Sequence, residues 1–117
     1  MKALRVIPNI PVHDAAQAQE FFGEFLGLSN VEFDLGWVTR LTSPDSDSEV
    51  QLVTRDLTSP EDSVISVMTD DVDAAYAEAQ TRGYDIVHPL TDEAWGVRRF
   101  LVRSPDGCVV NIVRHHT

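Results

Sequence analysis

Few side chains in this sequence have the types and spacing that catalysis or metal binding requires. The 117 residues include four histidines and a single cysteine, Cys108. One cysteine excludes an intrachain disulfide and any cysteine-rich zinc site. We interpret Cys108 as a small, half-buried core residue, because the spacing places no histidine beside it that would make it a nucleophile.

The four histidines are spread along the chain and do not form a ligand set. His13 lies at a predicted strand–helix junction, His88 in a predicted strand, and His115 and His116 in the tail. Metal sites with open positions typically bring two histidines and one carboxylate together. We therefore expect no metal, no cofactor and no catalytic residues.

The composition is that of a small acidic globular protein. Nine Lys and Arg oppose 19 Asp and Glu, a net charge of −10, and 43% of the residues are hydrophobic. This charge disfavours nucleic acid, which needs a basic face, and attracts cationic small molecules. No apolar run reaches the roughly 18–20 residues of a membrane span, and no signal peptide is expected. We expect a cytoplasmic protein with a small-molecule ligand, and neither nucleic acid nor a membrane as partner.

The hydrophobic pattern predicts two successive β-α-β-β-β modules. Period-two alternation indicates strands, and an Asp before a periodic apolar run with a Gly after it indicates a helix. The first module consists of a strand at Leu4–Val12, a helix from the cap Asp14 to Gly27, and strands at Asn30–Leu35, Trp37–Thr42 and Val50–Thr54. The second consists of a strand at Val64–Met68, a helix from the cap Asp71 to Gly83, and strands at Asp85–Leu90, Val97–Arg103 and Val109–Arg114.

The matching landmarks of the two modules indicate an internal duplication. The predicted caps Asp14 and Asp71 are 57 residues apart, and the Ser-Pro-Asp turns that begin at Ser43 and Ser104 are 61 residues apart. Agreement of element order, cap and turn is typical of a repeat. We place the modules at about residues 1–55 and 63–117, with a linker at 56–62.

Alternation along the strands separates an apolar face from a more polar one. The apolar face is predicted to pack under Phe21, Phe22, Phe25 and the alanine-rich second helix. Its residues are Val6, Ile10, Val12, Val50, Leu52, Ile65, Val67, Val110 and Ile112. Four neutral polar residues fall at related positions on the opposite face: Asn9, Gln51, Ser66 and Asn111.

The element order and its motifs resemble the vicinal oxygen chelate superfamily. The resemblance extends from Leu4 to Arg114, and it is carried by Val12–His13–Asp14 and by Trp95–Gly96–Val97–Arg98, which leads to Phe100 and Ser104–Pro105–Asp106–Gly107. That superfamily contains glyoxalase I, extradiol dioxygenases, fosfomycin-modifying enzymes and bleomycin resistance proteins. The resemblance implies an α+β fold in which two βαβββ modules curl a mixed sheet into a cup, with the helices outside.

The resemblance also implies where a metal would bind. Enzymes of the superfamily hold a divalent metal on the floor of the cup with His, Glu or Gln from two strands of each half. Gln51 and Asn111 stand at such positions here. Neutral amides and a hydroxyl add no charge to offset the dehydration of a divalent cation. This chain therefore resembles the metal-free, bleomycin-resistance-like members.

Two tryptophans, together with two residues on one face of a predicted strand, are further candidates for ligand contact. Trp37 and Trp95 precede matching strands, and each either forms an aromatic wall for a flat or cationic ligand or packs over the sheet edge. Arg98 and Phe100 share a strand face. Arg98 either meets an anionic ligand group or pairs with a surface carboxylate, which is the commoner outcome.

Three further charged residues are weaker candidates. Arg40 and Arg99 are open to the same two interpretations as Arg98. Glu49 is either a general base or partner of a cation, or a solvated turn residue, and the solvated position is the commoner one.

We expect a metal-free small-molecule binding protein of the bleomycin-resistance type, which sequesters a hydrophobic or cationic aromatic compound. Related resistance proteins are homodimers, so a homodimer is implied. The predicted ligand-binding residues are Asn9, Trp37, Gln51, Ser66, Trp95, Arg98, Phe100 and Asn111.

Two alternatives stay open. One is a metal-dependent enzyme of the same superfamily, an isomerase, lyase or dioxygenase, with Glu49, His88 or a residue of a dimer mate as metal ligand. The other is a structural or regulatory partner domain whose cup is collapsed and empty.

Overall fold

The computed structural model describes residues 1–115, which form eight strands and two helical regions. The strands are β1 (Arg5–Pro11), β2 (Asn30–Asp34), β3 (Val38–Thr42), β4 (Glu49–Val53), β5 (Ile65–Met68), β6 (Asp85–Glu93), β7 (Val97–Arg103) and β8 (Val109–His115). The helices are α1 (Ala15–Gln19), which continues as a π-helical segment (Glu20–Phe25), and α2 (Val72–Thr81). The predicted α+β class and the repeated β-α-β-β-β order are confirmed.

The chain divides into two compact units, each with a mixed four-stranded order. The N-terminal unit is Ile7–Leu57, and the C-terminal unit consists of Met1–Val6 and the chain from Thr58 onwards. The strand order is β2-β3-β4-β1 in the first and β6-β7-β8-β5 in the second. The first and last strand of each module pair in parallel, and the other neighbours pair antiparallel. The repeat bounds of about 1–55 and 63–117 stay a prediction.

The helical region of the N-terminal unit begins as predicted and then departs from α-helical geometry. Asp14 Oδ1 accepts hydrogen bonds from the backbone N–H groups of Ala16 and Gln17, at 2.9 and 3.1 Å. This is the side-chain cap that a helix start requires. After Gln19 the turns widen, and Leu26 N–H donates to the Phe21 carbonyl at 3.0 Å. The segment therefore closes i→i+5 hydrogen bonds.

The prediction that Phe21 and Phe25 lie in the core is wrong, and the widened turns explain why. Phe22 packs on the buried cluster of Leu28, Leu41 and Leu52, but Phe21 and Phe25 are 52% and 76% exposed. The extra residue in each π turn shifts side chains off the 3.6-residue period on which the prediction rests. These two aromatic side chains consequently lie outside the core.

Val6 is also exposed, at 51%, although alternation predicts it on the apolar face. The registered pairing of β1 with β4 covers Asn9 to Pro11, so Val6 lies before the part of the strand that pairs with β4.

The C-terminal unit packs α2 on its sheet as predicted. Asp71 accepts a hydrogen bond from Ala74 N–H at 3.0 Å, and Val72, Ala75 and Ala79 are buried. They join a cluster with Val67, Phe100 and Ile112. The predicted 3.6-residue stripe is therefore the face that covers the sheet.

Two smaller features complete the fold. Cys108 is exposed, which contradicts its predicted place in the core. It closes the Ser-Pro-Asp-Gly turn, where its backbone N–H donates to Ser104 Oγ at 3.1 Å, and this position directs it away from the strand interior. Within residues 1–115, no helix has the length and apolar character needed to cross a membrane.

Candidate functional site

The four predicted neutral polar residues form two hydrogen-bonded pairs, one in each unit. Asn9 is aligned with Gln51 across β1 and β4, and Gln51 Nε2 donates to Asn9 Oδ1 at 2.6 Å. Ser66 is aligned with Asn111 across β5 and β8, and Asn111 Nδ2 donates to Ser66 Oγ at 3.0 Å. The positional equivalence predicted from the duplication is confirmed by this shared register.

A buried arginine extends the pair in the N-terminal unit. Arg40 on β3 is aligned with Gln51, is 6% exposed, and donates from Nε to Gln51 Oε1 at 2.9 Å. Its Nη1 lies 3.1 Å from Glu32 Oε1, and its guanidinium lies 5.2 Å from the ring centroid of Phe33. Ion pairing and cation–π contact together offset the desolvation of this charge. We call Arg40, Gln51 and Asn9 the N-terminal row.

The equivalent positions of the C-terminal unit, Leu101, Asn111 and Ser66, form the C-terminal row. Leu101 is aligned with Asn111 and is fully buried, so an apolar side chain stands where the other unit has Arg40. Asn111 Oδ1 is buried and accepts no hydrogen bond from the part of the chain that the structure describes. A buried acceptor without a donor costs about 1–3 kcal/mol. The C-terminal row is therefore incomplete where the N-terminal row is satisfied.

The C-terminal unit also buries an arginine, but two residues earlier on its strand. Arg99 is aligned with Val113 and is 3% exposed. Its Nη2 lies 3.1 Å from Glu93 Oε2, and its guanidinium lies 5.1 Å from the ring of Trp95. Glu93 Oε1 in turn lies 3.5 Å from His88 Nε2. Each unit thus surrounds its buried arginine with one carboxylate and one aromatic ring.

Residues of the predicted linker contribute to this arrangement. Arg99 Nη2 donates to Thr58 Oγ1 at 2.9 Å, and Ser59, which is 4% exposed, donates to the Glu61 carbonyl at 2.9 Å. The linker is therefore anchored on the C-terminal unit.

Arg98 and Phe100 share a strand face, as predicted, but that face is the one covered by α2. Phe100 is 1% exposed, and its ring packs edge-on against Tyr76 with centroids 5.0 Å apart. Arg98 pairs with Asp73 at 2.8 Å and with Asp92 at 3.1 Å. Hydrogen bonding to Asp73, and then to Asp92, raises the pKa of the Arg98 guanidinium. The structure thus separates Arg98 and Phe100 from the polar rows.

The two tryptophans occupy matching places, as predicted. Trp37 directly precedes β3 and Trp95 lies just before β7, and both are half-buried. Gly36 and Gly96 beside them have φ of 88° and 91°, a conformation that favours glycine. Gly36 precedes Trp37 whereas Gly96 follows Trp95, so the two turns differ although both lead into the third strand of their module.

The residues of the rows do not fit a divalent metal. The Arg40 guanidinium bonded to Gln51 would repel a cation, and Asn9 and Gln51 already use their amides on each other. The rows offer neither a carboxylate nor an imidazole, the groups that offset metal dehydration. Within residues 1–115, no three His, Cys, Asp or Glu side chains come together in a metal-binding arrangement.

The remaining candidate metal ligands give no such set either. His88 has Glu93 beside it, which is itself bonded to Arg99. Glu49 lies at the start of β4, aligned with Thr42. His115 ends β8 instead of lying in a tail, and His116 lies outside the described residues.

A separate groove of about 590 Å³ lies on the helix side of the N-terminal unit. Its lining includes Leu28 and Leu41 together with Glu20 and Glu24 of the π-helical segment. None of the predicted ligand-binding residues lines it.

Sequence reasoning underrated Arg40 and Arg99 and did not single out Glu93. A signal exists, because each arginine lies inside a predicted strand directly before a large apolar residue, where a charge is seldom buried unless it has a partner. The partners themselves give little signal. Glu32 lies where the β2–β3 register shifts, and Glu93 ends a strand that runs longer than predicted.

Comparison with known proteins places the fold. The family model described as Glyoxalase/Bleomycin resistance protein/Dioxygenase superfamily matches residues 5–112. A member of that superfamily from Vibrio splendidus 12B01 is 23% identical, covers 94% of this chain and 97% of its own, and has a TM-score of 0.69. An uncharacterized protein from Methanosarcina mazei is also 23% identical with a TM-score of 0.69, covering 98% and 94%.

A Legionella pneumophila structure described as an NAD-dependent benzaldehyde dehydrogenase is 15% identical, with a TM-score of 0.75 and coverage of 95% and 99%. At these identities, the structural neighbours show the fold alone. No curated protein matches the sequence. The family model covers nearly all of the described strands and both helices, so this chain belongs to the Glyoxalase/Bleomycin resistance protein/Dioxygenase superfamily, the vicinal oxygen chelate superfamily.

Proposed function

We propose that this protein is a metal-free small-molecule binding protein of the bleomycin-resistance type, which sequesters a hydrophobic or cationic aromatic compound without chemical change. The observation that carries the proposal is the Arg40–Gln51–Asn9 chain of hydrogen bonds. It places a guanidinium against Gln51 on the polar face, where the resemblance puts the His, Glu or Gln ligands of the family's enzymes, and a guanidinium repels a metal cation.

The half-buried tryptophans support an aromatic ligand. Trp37 and Trp95 keep part of their surface accessible, and an indole stacks on flat rings and attracts cations. Apolar burial would supply most of the affinity, and amides such as that of Asn111 would set the orientation. The net charge of −10 would speed capture of a positive ligand.

Tryptophan fluorescence tests the proposal directly. Titration with bleomycin and with planar cationic drugs should quench or shift the emission at micromolar ligand. The chain has only two tryptophans, so Trp37→Phe and Trp95→Phe each leave a single reporter. Phe25→Ser, on the exposed side of the π-helical segment, is the matched control and should leave the titration unchanged. No response across the panel would overturn the proposal.

The proposal includes a homodimer in the cytoplasm. A chain of this size buries a limited core, and association would add to the buried apolar surface. Light scattering on the purified protein at binding concentrations should give twice the chain mass. A monomer that binds the same drugs would remove the dimer from the proposal.

Elemental analysis separates the proposal from the metal-dependent alternative. Protein purified without chelator should contain no stoichiometric transition metal, because the rows offer no charged ligand set. Stoichiometric Ni, Zn, Mn or Fe would favour an isomerase, lyase or dioxygenase instead.

A further inference from the structure

One hydrogen-bond acceptor distinguishes the two rows. In the N-terminal row, Gln51 Oε1 receives the Nε–H of Arg40 at 2.9 Å. In the C-terminal row, the equivalent acceptor is Asn111 Oδ1, which receives no hydrogen bond from residues 1–115. The side chain at the position of Arg40 is there Leu101, which has no donor. Both units therefore have an amide acceptor at this position, but only the N-terminal unit has an arginine that donates to it.

We propose that the bound ligand supplies this donor, as a cationic N–H group of the amidinium, guanidinium or ammonium class that hydrogen-bonds to Asn111 Oδ1. The inference rests on the proposed function and names the class of ligand for that site. The ligand nitrogen would do for Asn111 what the Arg40 guanidinium does for Gln51.

The surroundings of Asn111 favour this class of ligand. Asn111 Nδ2 is already committed to Ser66, so the amide offers an acceptor and not a donor. Leu101 is fully buried beside Asn111 and offers no donor that would compete for Oδ1. The nearby charge of Arg99 is offset by Glu93 at 3.1 Å, so it does not leave a net positive charge against the ligand.

A ligand would approach the Oδ1 atom from the exposed side of Asn111. The residue is half-buried as a whole, although its Oδ1 atom is covered. A ligand N–H group would reach Oδ1 by displacing the side chains that cover it, and the Nδ2 bond to Ser66 would hold the amide in place.

Such an acceptor should select ligands by their N–H groups. A site whose buried polar group is left unpaired by an analogue rejects that analogue. A hydrogen bond that involves a charged group corresponds to at least about tenfold in affinity. A cationic aromatic compound whose nitrogen is fully alkylated should therefore bind at least about tenfold more weakly than one with N–H donors.

The test uses two aromatic monocations of similar size, 2-naphthamidine and 2-naphthyltrimethylammonium, in calorimetric titrations. The unsubstituted protein should bind the amidine at least about tenfold tighter. Asn111→Leu should remove this preference, by weakening the binding of the amidine more than that of the quaternary ammonium compound. Asn111→Asp should retain or increase the preference, because a carboxylate accepts the same N–H group and adds charge.

The outcomes separate the inference from the proposed function. Equal binding of both cations to the unsubstituted protein, or a preference that survives Asn111→Leu, would overturn the inference and leave sequestration standing. Tight binding only of drugs without N–H donors would also overturn it. Failure of every compound, including the drug panel, would overturn the proposed function itself. If Asn111→Leu does not fold, Asn111→Asp carries the test, and a lowered amidine preference in it would count against the inference.

Discussion

The N-terminal and C-terminal units have the same strand topology, yet they place their buried arginines at different points along it. Arg40 is aligned with Gln51, whereas Arg99 is aligned with Val113, two residues before the position that Leu101 occupies. Two residues correspond to about 7 Å along a strand. Arg40 therefore completes the polar row of its unit, and Arg99 builds a separate ion pair beside the other row.

The difference shows that a repeated backbone does not fix repeated chemistry. The ladder of each unit aligns the same two polar positions, because the register is set by main-chain hydrogen bonds and by the period of two. One side-chain identity on the third strand of the module then decides whether the acceptor beside it is satisfied from within. In the C-terminal unit it is not, and we propose that a ligand satisfies the acceptor of that row.

Removal of Arg99 should have the largest effect on this comparison. Arg99→Met would leave the Glu93 carboxylate, whose side chain is 6% exposed, buried without its counter-charge. We expect a loss of about 3–5 kcal/mol in the free energy of unfolding. Urea denaturation measures it, and the double variant Arg99→Met/Glu93→Leu should recover most of the loss. A loss below about 1 kcal/mol would show that the pair is solvated.

Removal of Arg40 should cost less. Glu32 is 38% exposed and returns to water when Arg40→Met removes its partner, so the main penalty is the lost donor to Gln51 Oε1. We expect about 1–3 kcal/mol by urea denaturation. A loss equal to that of Arg99→Met would mean that the two arginines are energetically equivalent despite their different positions.

The two helix caps should be equivalent between the units. Asp14 accepts from two backbone N–H groups and Asp71 from one. Asp14→Ala and Asp71→Ala should each lower the free energy of unfolding by about 0.5–2 kcal/mol. The matched controls Asp14→Asn and Asp71→Asn keep a capping oxygen and should restore most of it. Asparagine variants as unstable as the alanine variants would assign the loss to charge instead of capping.

The smallest effect should be an acid-sensitive contribution from the C-terminal unit. Hydrogen bonds from Arg103 and Arg98 lower the pKa of Glu61 and of Asp73 below their ordinary values of 4.5 and 3.8. A carboxylate with a lowered pKa stabilises the fold above its ordinary value, and this contribution is lost as the pH falls through the lowered one. Both groups are solvent-exposed, so the effect is small.

Glu61→Gln with Asp73→Asn should therefore flatten the loss of stability below about pH 4.5, measured by urea denaturation across that range. If the free energy of unfolding falls as steeply with decreasing pH in the double variant, other carboxylates determine the acid sensitivity.

Much of the fold could be predicted because its signals are local. Strand β7 was predicted at Val97–Arg103 and is found there, and both caps were predicted from an Asp before a periodic apolar run. The π-helical segment could not be predicted, because the phenylalanines fit a 3.6-residue stripe. Only the structure, in which Leu26 N–H donates to the Phe21 carbonyl, shows that the turns widen after Gln19.

The candidate site was predictable in part. Alternation and duplication together identified Asn9, Gln51, Ser66 and Asn111, whose pairing depends on register alone. The partners of the arginines were not predictable in the same way, since Glu32 lies at a register shift and Glu93 beyond the predicted end of its strand. The period-two alternation of a strand does not predict the position of a side chain at either place.

The sequence by itself determined which residues of one strand share a face, including Arg98 with Phe100 and Asn111 with Val109. Only the tertiary structure decided that α2 covers the first of these faces and that Asn111 lacks the donor that Gln51 has. The physical reason is that a strand's alternation is a property of its own backbone. Which element covers a face, and which side chain lies opposite another, depends on residues distant in the chain.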